Sequence, residues 1–215
     1  MALNKLKFNS INVTPAASEA IRFNSSANGL ETASAGGSLV KIASTTASSS
    51  ASVSFTSGIT STYKEYIFFF NNIHPQTDDV GFMFNLSIDS GSNYNVTKTT
   101  TYFNAFHNEG GNTTSLQYSD SYDLAQSTGN QYLANDSVGD DSDQCASGFL
   151  HLFNPSSTTF VKHFIARVNH THEAQFTVDQ YIAGYGNTTS AIDAVRFSME
   201  SGNIDSGTIT MYGVL

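Results

Sequence analysis

Val195-Arg196-Phe197-Ser198-Met199-Glu200-Ser201-Gly202-Asn203-Ile204-Asp205-Ser206-Gly207-Thr208-Ile209-Thr210-Met211-Tyr212 is the stretch whose reading decides the fold. Val195, Phe197 and Met199 alternate with polar neighbours, Ser201-Gly202-Asn203 supplies a turn, and Ile209 and Met211 alternate again. A period of two puts the apolar side chains on one face of a strand and the polar ones on the other. Two strands with a Gly/Asn turn between them therefore close the chain.

The same pattern recurs upstream. Val53 and Phe55 alternate with serines and threonine, and Tyr66 to Phe70 is continuously apolar, as in a strand buried on both faces. Phe82, Phe84, Leu86 and Ile88 fall on one face, with Asn85 and Ser87 on the other, and Asp89-Ser90-Gly91-Ser92-Asn93 reads as a hairpin loop into Tyr94–Tyr102. Phe149–Phe153 is stopped by Asn154-Pro155-Ser156, and Phe160–Val168 follows with apolar residues on both faces. Residues 104–145 are more polar and read as long surface loops carrying one or two short strands. No stretch sustains a helical period beyond about two turns. The expected fold is all-β: a β-sandwich, with a jelly roll as the leading arrangement and a barrel as the alternative, preceded by an extended amino-terminal segment.

Composition agrees with this. In 215 residues only 13% are charged, while 39% are hydrophobic and 12% aromatic. Polarity comes from Ser, Thr, Asn and Gly, which favour turns and compete with helical backbone bonds. The formal charge is −9. Residues 1–41 carry Lys5, Lys7, Arg22 and Lys41 against Glu19 and Glu31, a net +2, so the remainder carries −11. An acidic body repels phosphate backbones, which argues against a nucleic-acid partner. No segment is long and apolar enough for insertion into a membrane, and no signal-peptide core is recognisable near Met1. Cys145 is the single cysteine, so no intrachain disulfide is expected.

Two parts of the chain are distinguished, residues 1–44 as an attachment or oligomerisation segment and 45–215 as the sandwich. Leu6-Lys7-Phe8-Asn9-Ser10 recurs as Ile21-Arg22-Phe23-Asn24-Ser25. Two such units cannot bury Phe8 and Phe23 alone, which nominates those rings for contact with sister subunits or another protein. Ser44–Ser52 reads as linker or edge strand.

Candidate chemistry is sparse. Asp140, Asp141 and Asp143 crowd a turn-rich loop of the kind that offers oxygen ligands to calcium, although the spacing is not that of an EF-hand and a solvated acidic loop is the competing reading. Tyr118, Tyr122 and Tyr132, interleaved with Asp120 and Asp123, are the best match to a glycan-binding surface. The competing reading packs them onto the domain or into a subunit contact. His170 and His172 would share one side of a strand but lack a third zinc ligand by pattern, and they read as surface residues. There is no Gly-x-Ser-x-Gly elbow, phosphate-binding glycine loop or His-Glu-x-x-His, so no enzymatic role is expected.

Several fragments carry a resemblance: Ser57-Gly58-Ile59-Thr60-Ser61-Thr62-Tyr63, Ile73-His74-Pro75, Leu152-Phe153-Asn154-Pro155-Ser156-Ser157-Thr158-Thr159, Ala183-Gly184-Tyr185, and the ending from Phe197 to Gly213. Together they look like small virion structural proteins of marine tailed phages. The resemblance implies a place on the virion surface after assembly in the host cytoplasm, with other virion proteins as partners. It points to a fibre or tail-associated appendage that meets the host surface, with a capsid decoration protein as the alternative. A stand-alone carbohydrate-binding module is the reading from a different class. The doubly apolar strands further predict a homo-oligomer, with a trimer favoured because appendages commonly use three-fold symmetry. A host-surface glycan is the expected external partner.

Overall fold

A computed structural model describes residues 19–34 and 38–215. The chain divides into two compact units, Met1–Val40 and Lys41–Leu215. In the first, β1 (Glu19–Phe23) pairs antiparallel with β2 (Leu30–Ser34). The turn is tied by the Asn24 N–H donating to the Gly29 carbonyl, and Arg22 bridges to Glu31 at 3.0 Å. Phe23 is 72% exposed and Ile21 and Leu30 are also exposed. A lone hairpin has no second layer to cover such side chains. Phe8 and its copy of the repeated unit, Leu6–Ser10, lie outside the described residues.

The second unit holds the remaining strands: β3 (Leu39–Ser50, which begins two residues before it), β4 (Val53–Phe55), β5 (Glu65–Pro75), β6 (Val80–Ser87), β7 (Lys98–Asn108), β8 (Thr114–Tyr118), β9 (Gln131–Val138), β10 (Ala146–Phe153), β11 (Lys162–Thr171), β12 (Phe176–Gly186), β13 (Ala194–Met199) and β14 (Ile204–Val214). They form an eight-stranded sheet, β3-β14-β5-β10-β11-β12-β7-β8, and a four-stranded sheet, β4-β13-β6-β9. The Ser/Thr/Ala run is thus an edge strand of the large sheet, and position 44 lies inside it.

The order resolves into a jelly roll with two insertions. Without β7, β8, β11 and β12, the chain forms a β3-β14-β5-β10 layer and a β4-β13-β6-β9 layer and crosses between them at every connection except β6 to β9, which is the double Greek key of that fold. The hairpins β7–β8 and β11–β12 then lie side by side and widen the large sheet beyond its partner.

Between the layers the core is aromatic. Phe197, on β13, sits within 6.5 Å of Phe55, Phe68, Phe70, Phe82 and Phe84, measured between ring centroids. Phe84 meets Phe164 edge-to-face at 5.1 Å, which ties the inserted β11 to the original sandwich. Burying rings of this size contributes roughly 1.5–3 kcal/mol each, which the low charge content leaves as the principal source of cohesion.

Three expectations are corrected by this topology. Asp89–Asn93 is not a hairpin loop, because it carries the chain from the small sheet to the large one, as the Ser201-Gly202-Asn203 turn also does. Asp89 organises its turn by accepting from Ser87 Oγ (2.7 Å), Asn93 N–H (2.8 Å) and Asn93 Nδ2 (2.7 Å). Asn85 and Ser87 do not face water: the segment leading into β9 covers Asn85, whose Nδ2 donates to the Thr128 carbonyl, and Ser87 is held by the turn at Asp89 and Gly91. β11 is not apolar on both faces: its residues alternate strictly between buried and open from Lys162 to His170, and Phe160 lies outside the strand, 68% exposed.

Candidate functional site

The residues nominated from sequence do not converge. Tyr122 packs against Tyr102 and Tyr132, with centroids at 5.4 and 5.1 Å, and both Tyr122 and Tyr132 lie against the core. Tyr118 is exposed on the other face of edge strand β8, where its hydroxyl donates to Asp123 and that bond holds its proton above the usual tyrosine range. Asp120 is exposed nearby. The five residues therefore form no common glycan platform, because two of the three rings serve packing. Asp140, Asp141 and Asp143 are all exposed, and among the described residues no group of three or more His, Cys, Asp or Glu side chains is placed to hold a metal ion.

His170 is the clearest departure from the sequence reading, being 1% exposed rather than a surface residue. Its Nε2 lies 3.1 Å from Ser137 Oγ. The Gln180 amide orientation that satisfies its surroundings accepts from His170 Nδ1 at 3.3 Å and donates to the Leu133 carbonyl at 2.7 Å. The ring is thus held neutral, and burial, reinforced by neighbouring His172, pushes its pKa down to about 3. Lys98 is also fully buried, with Nζ donating to Asn85 Oδ1 (2.6 Å) and the Val96 carbonyl (2.8 Å). Burial lowers its pKa to about 7. These groups are locked inside and offer no access to a substrate.

Two surfaces that the sequence reading missed are better organised. One is the outer face of the eight-stranded sheet. Cross-strand register brings Phe69, Phe149, Ile165, Tyr181, Phe103 and Tyr118 onto it. Phe103 stacks flat on Tyr181 at 4.8 Å, and Phe69 meets Tyr212 at 5.7 Å. Arg167 forms a bidentate pair with Asp179 (2.6 and 3.0 Å) while its guanidinium lies 4.9 Å from the Tyr181 ring centre. That pair depresses the Asp179 carboxyl. A shallow groove of about 480 Å³ runs across this face beside Phe153, His163, Ile165 and Tyr185.

The other is a cleft of about 210 Å³ on the inner side of the widened sheet, where β7, β8 and β12 extend past the small sheet's edge strand β9. It is lined by Asn104 and Phe106 of β7, Gln117 of β8, Asn135 of β9, Phe176 and Val178 of β12, and His172. Phe106 and Phe176 pack edge-to-face at 5.7 Å. Ala174 N–H donates to His172 Nδ1 at 3.0 Å, so the neutral ring carries its proton on Nε2. Asn104 is 3% exposed and its Oδ1 is buried without a hydrogen-bond donor. The available signal was parity: Tyr102, Asn104 and Phe106 share one face of β7, so an amide stands at a position whose neighbour is core.

No family model matches this chain, and neither does any curated protein or solved structure.

Proposed function

We propose that the chain is a structural protein of a phage virion surface, a fibre or tail-associated appendage subunit that contacts the host surface and assembles as a homotrimer. The outer face of the large sheet carries this reading. Isolated antiparallel sheets normally wet one face with polar side chains, yet here Phe103, Leu116, Tyr118 and Ile165 are 39–72% exposed on a single broad face. Strands of this length spaced about 4.8 Å apart give the inserted half alone roughly 600 Å² of face, and the neighbouring β10 and β5 extend it towards the roughly 800 Å² each partner contributes to a standard stable interface. A second copy of the same chain is the occupant we assign. The jelly roll suits the reading, because that architecture recurs in viral shells and lectins, and the resemblance of the sequence to phage virion proteins points the same way. Residues 1–44 are assigned the attachment role on account of their basic charge and the exposed Phe23.

Light scattering on the full chain tests the assembly. The expected mass is three times the 23.1 kDa of one chain. Ile165→Arg, at an exposed position, should yield monomers whose stability differs by no more than about 0.5 kcal/mol. A wild-type chain that stays monomeric at every concentration contradicts the proposal.

A further inference from the structure

We propose that the cleft beyond β9 binds a neutral sugar ring, an assignment that deepens, and rests on, the reading of the chain as a host-surface contact protein. Its lining matches that ligand group by group. A sugar ring presents hydroxyls, each both donor and acceptor, around a body with apolar C–H faces. Primary amides answer the hydroxyls because each offers a carbonyl oxygen and an NH₂, and three amides, Asn104, Gln117 and Asn135, border the cleft. The imidazole of His172 adds a donor at Nε2, since its Nδ1 is already occupied by the Ala174 N–H. Phe106 and Phe176 supply the apolar wall.

Charge and size narrow the class. No carboxylate, lysine or arginine lines the cleft, so nothing there compensates a charged ligand. At about 210 Å³ it is smaller than the roughly 300–1,000 Å³ of pockets that enclose drug-sized molecules, which fits a single ring or the end of a chain. The buried Oδ1 of Asn104 is the feature that packing alone leaves unexplained, because an acceptor removed from water without a donor is costly. A ligand hydroxyl seated at the cleft floor supplies that donor. Asn104, Phe106, Gln117, Asn135 and Phe176 lie on strands, so the lining is positioned before a ligand arrives. The neighbouring Gln180–His170–Ser137 chain of hydrogen bonds fixes the wall behind it.

The test titrates the full chain by ligand-observed NMR with D-glucose, D-galactose, D-mannose, L-fucose and N-acetyl-D-glucosamine, and with their short β-linked oligomers. At least one should bind with a dissociation constant of about 1 mM or tighter. Gln117→Ala, exposed and without structural load, should weaken that binding about fivefold, and Asn104→Leu about tenfold or more. Melting temperatures measured in parallel confirm that each variant is folded, and Gln117→Ala stands alone if Asn104→Leu is not. The proposal is overturned if no panel member binds, or if binding survives Gln117→Ala unchanged. Presence of the chain in particles without sugar binding would defeat the cleft alone. Sugar binding by a chain absent from particles would defeat the virion reading alone.

Discussion

His170 and Lys98 show how single side chains set the conditions under which this fold is stable. An imidazole whose pKa falls from its ordinary 6.5 to about 3 is held neutral by the fold, while the unfolded chain accepts a proton readily below 6.5. Stability contributed by the neutral ring is therefore complete above pH 6.5 and is lost as the pH falls towards 3, by up to about 1.4 kcal/mol per pH unit. The Asp89 and Asp179 carboxyls are held below the ordinary aspartate range by their hydrogen bonds to Asn93 and Arg167, so their contribution is lost only at lower pH. The limb between pH 6.5 and 4 belongs to His170, and thermal melts of wild type and His170→Asn across that window should show a fall in the first that flattens in the second. Equal slopes would show that the ring is not the titrating group. Lys98 acts at the other end: with its pKa lowered to about 7, stability should rise with pH from there towards 10.5. Neither residue was legible beforehand. His170 sits in a run, Asn169-His170-Thr171-His172-Glu173, that is polar throughout, and its burial comes from distant parts of the chain, with Ser137 of β9 and Gln180 of β12 against the ring.

Strands were more legible than their partners. Wherever one face is buried and the other open, as in β13 and β4, alternation located the strand correctly, because the period of two is a direct consequence of the pleat. β9 escaped because it is bulged against β6, with register shifts between Val80 and Phe82 and again between Phe82 and Met83, so that Gln131-Tyr132-Leu133-Ala134 loses the alternating pattern. Pairing across layers left no local mark either: a Gly/Asn turn looks alike whether it closes a hairpin or passes between sheets. The β5–β14 pair carries one element-scale prediction. Register shifts there surround Ser206, and Gly207 adopts φ +120°, where an added Cβ would lie 2.5 Å from the Asn72 carbonyl oxygen. Gly207→Ala should destabilise the body by about 1–3 kcal/mol, read from the midpoint of urea unfolding. A change below about 0.5 kcal/mol would mean the bulge relaxes at little cost.

At the scale of the molecule, the jelly roll makes an acidic body able to stand alone, and the insertions give it two surfaces a minimal sandwich lacks: a broad aromatic face outside and an amide-lined cleft within. The sequence announced the all-β class and an amino-terminal part of different character. It could not announce the surfaces, which arise only when β7, β8, β11 and β12 are laid side by side. Because Lys41–Leu215 is one compact unit, removing residues 1–40 should leave a folded body. The central claim, that this chain is built into a virion surface and held there through its amino-terminal segment, is tested most directly by counting copies per purified particle for the full chain and for the chain lacking residues 1–40. The account predicts the full chain at a fixed stoichiometry in multiples of three, and the truncated chain folded but missing from particles. Particles that contain no full-length chain would contradict it.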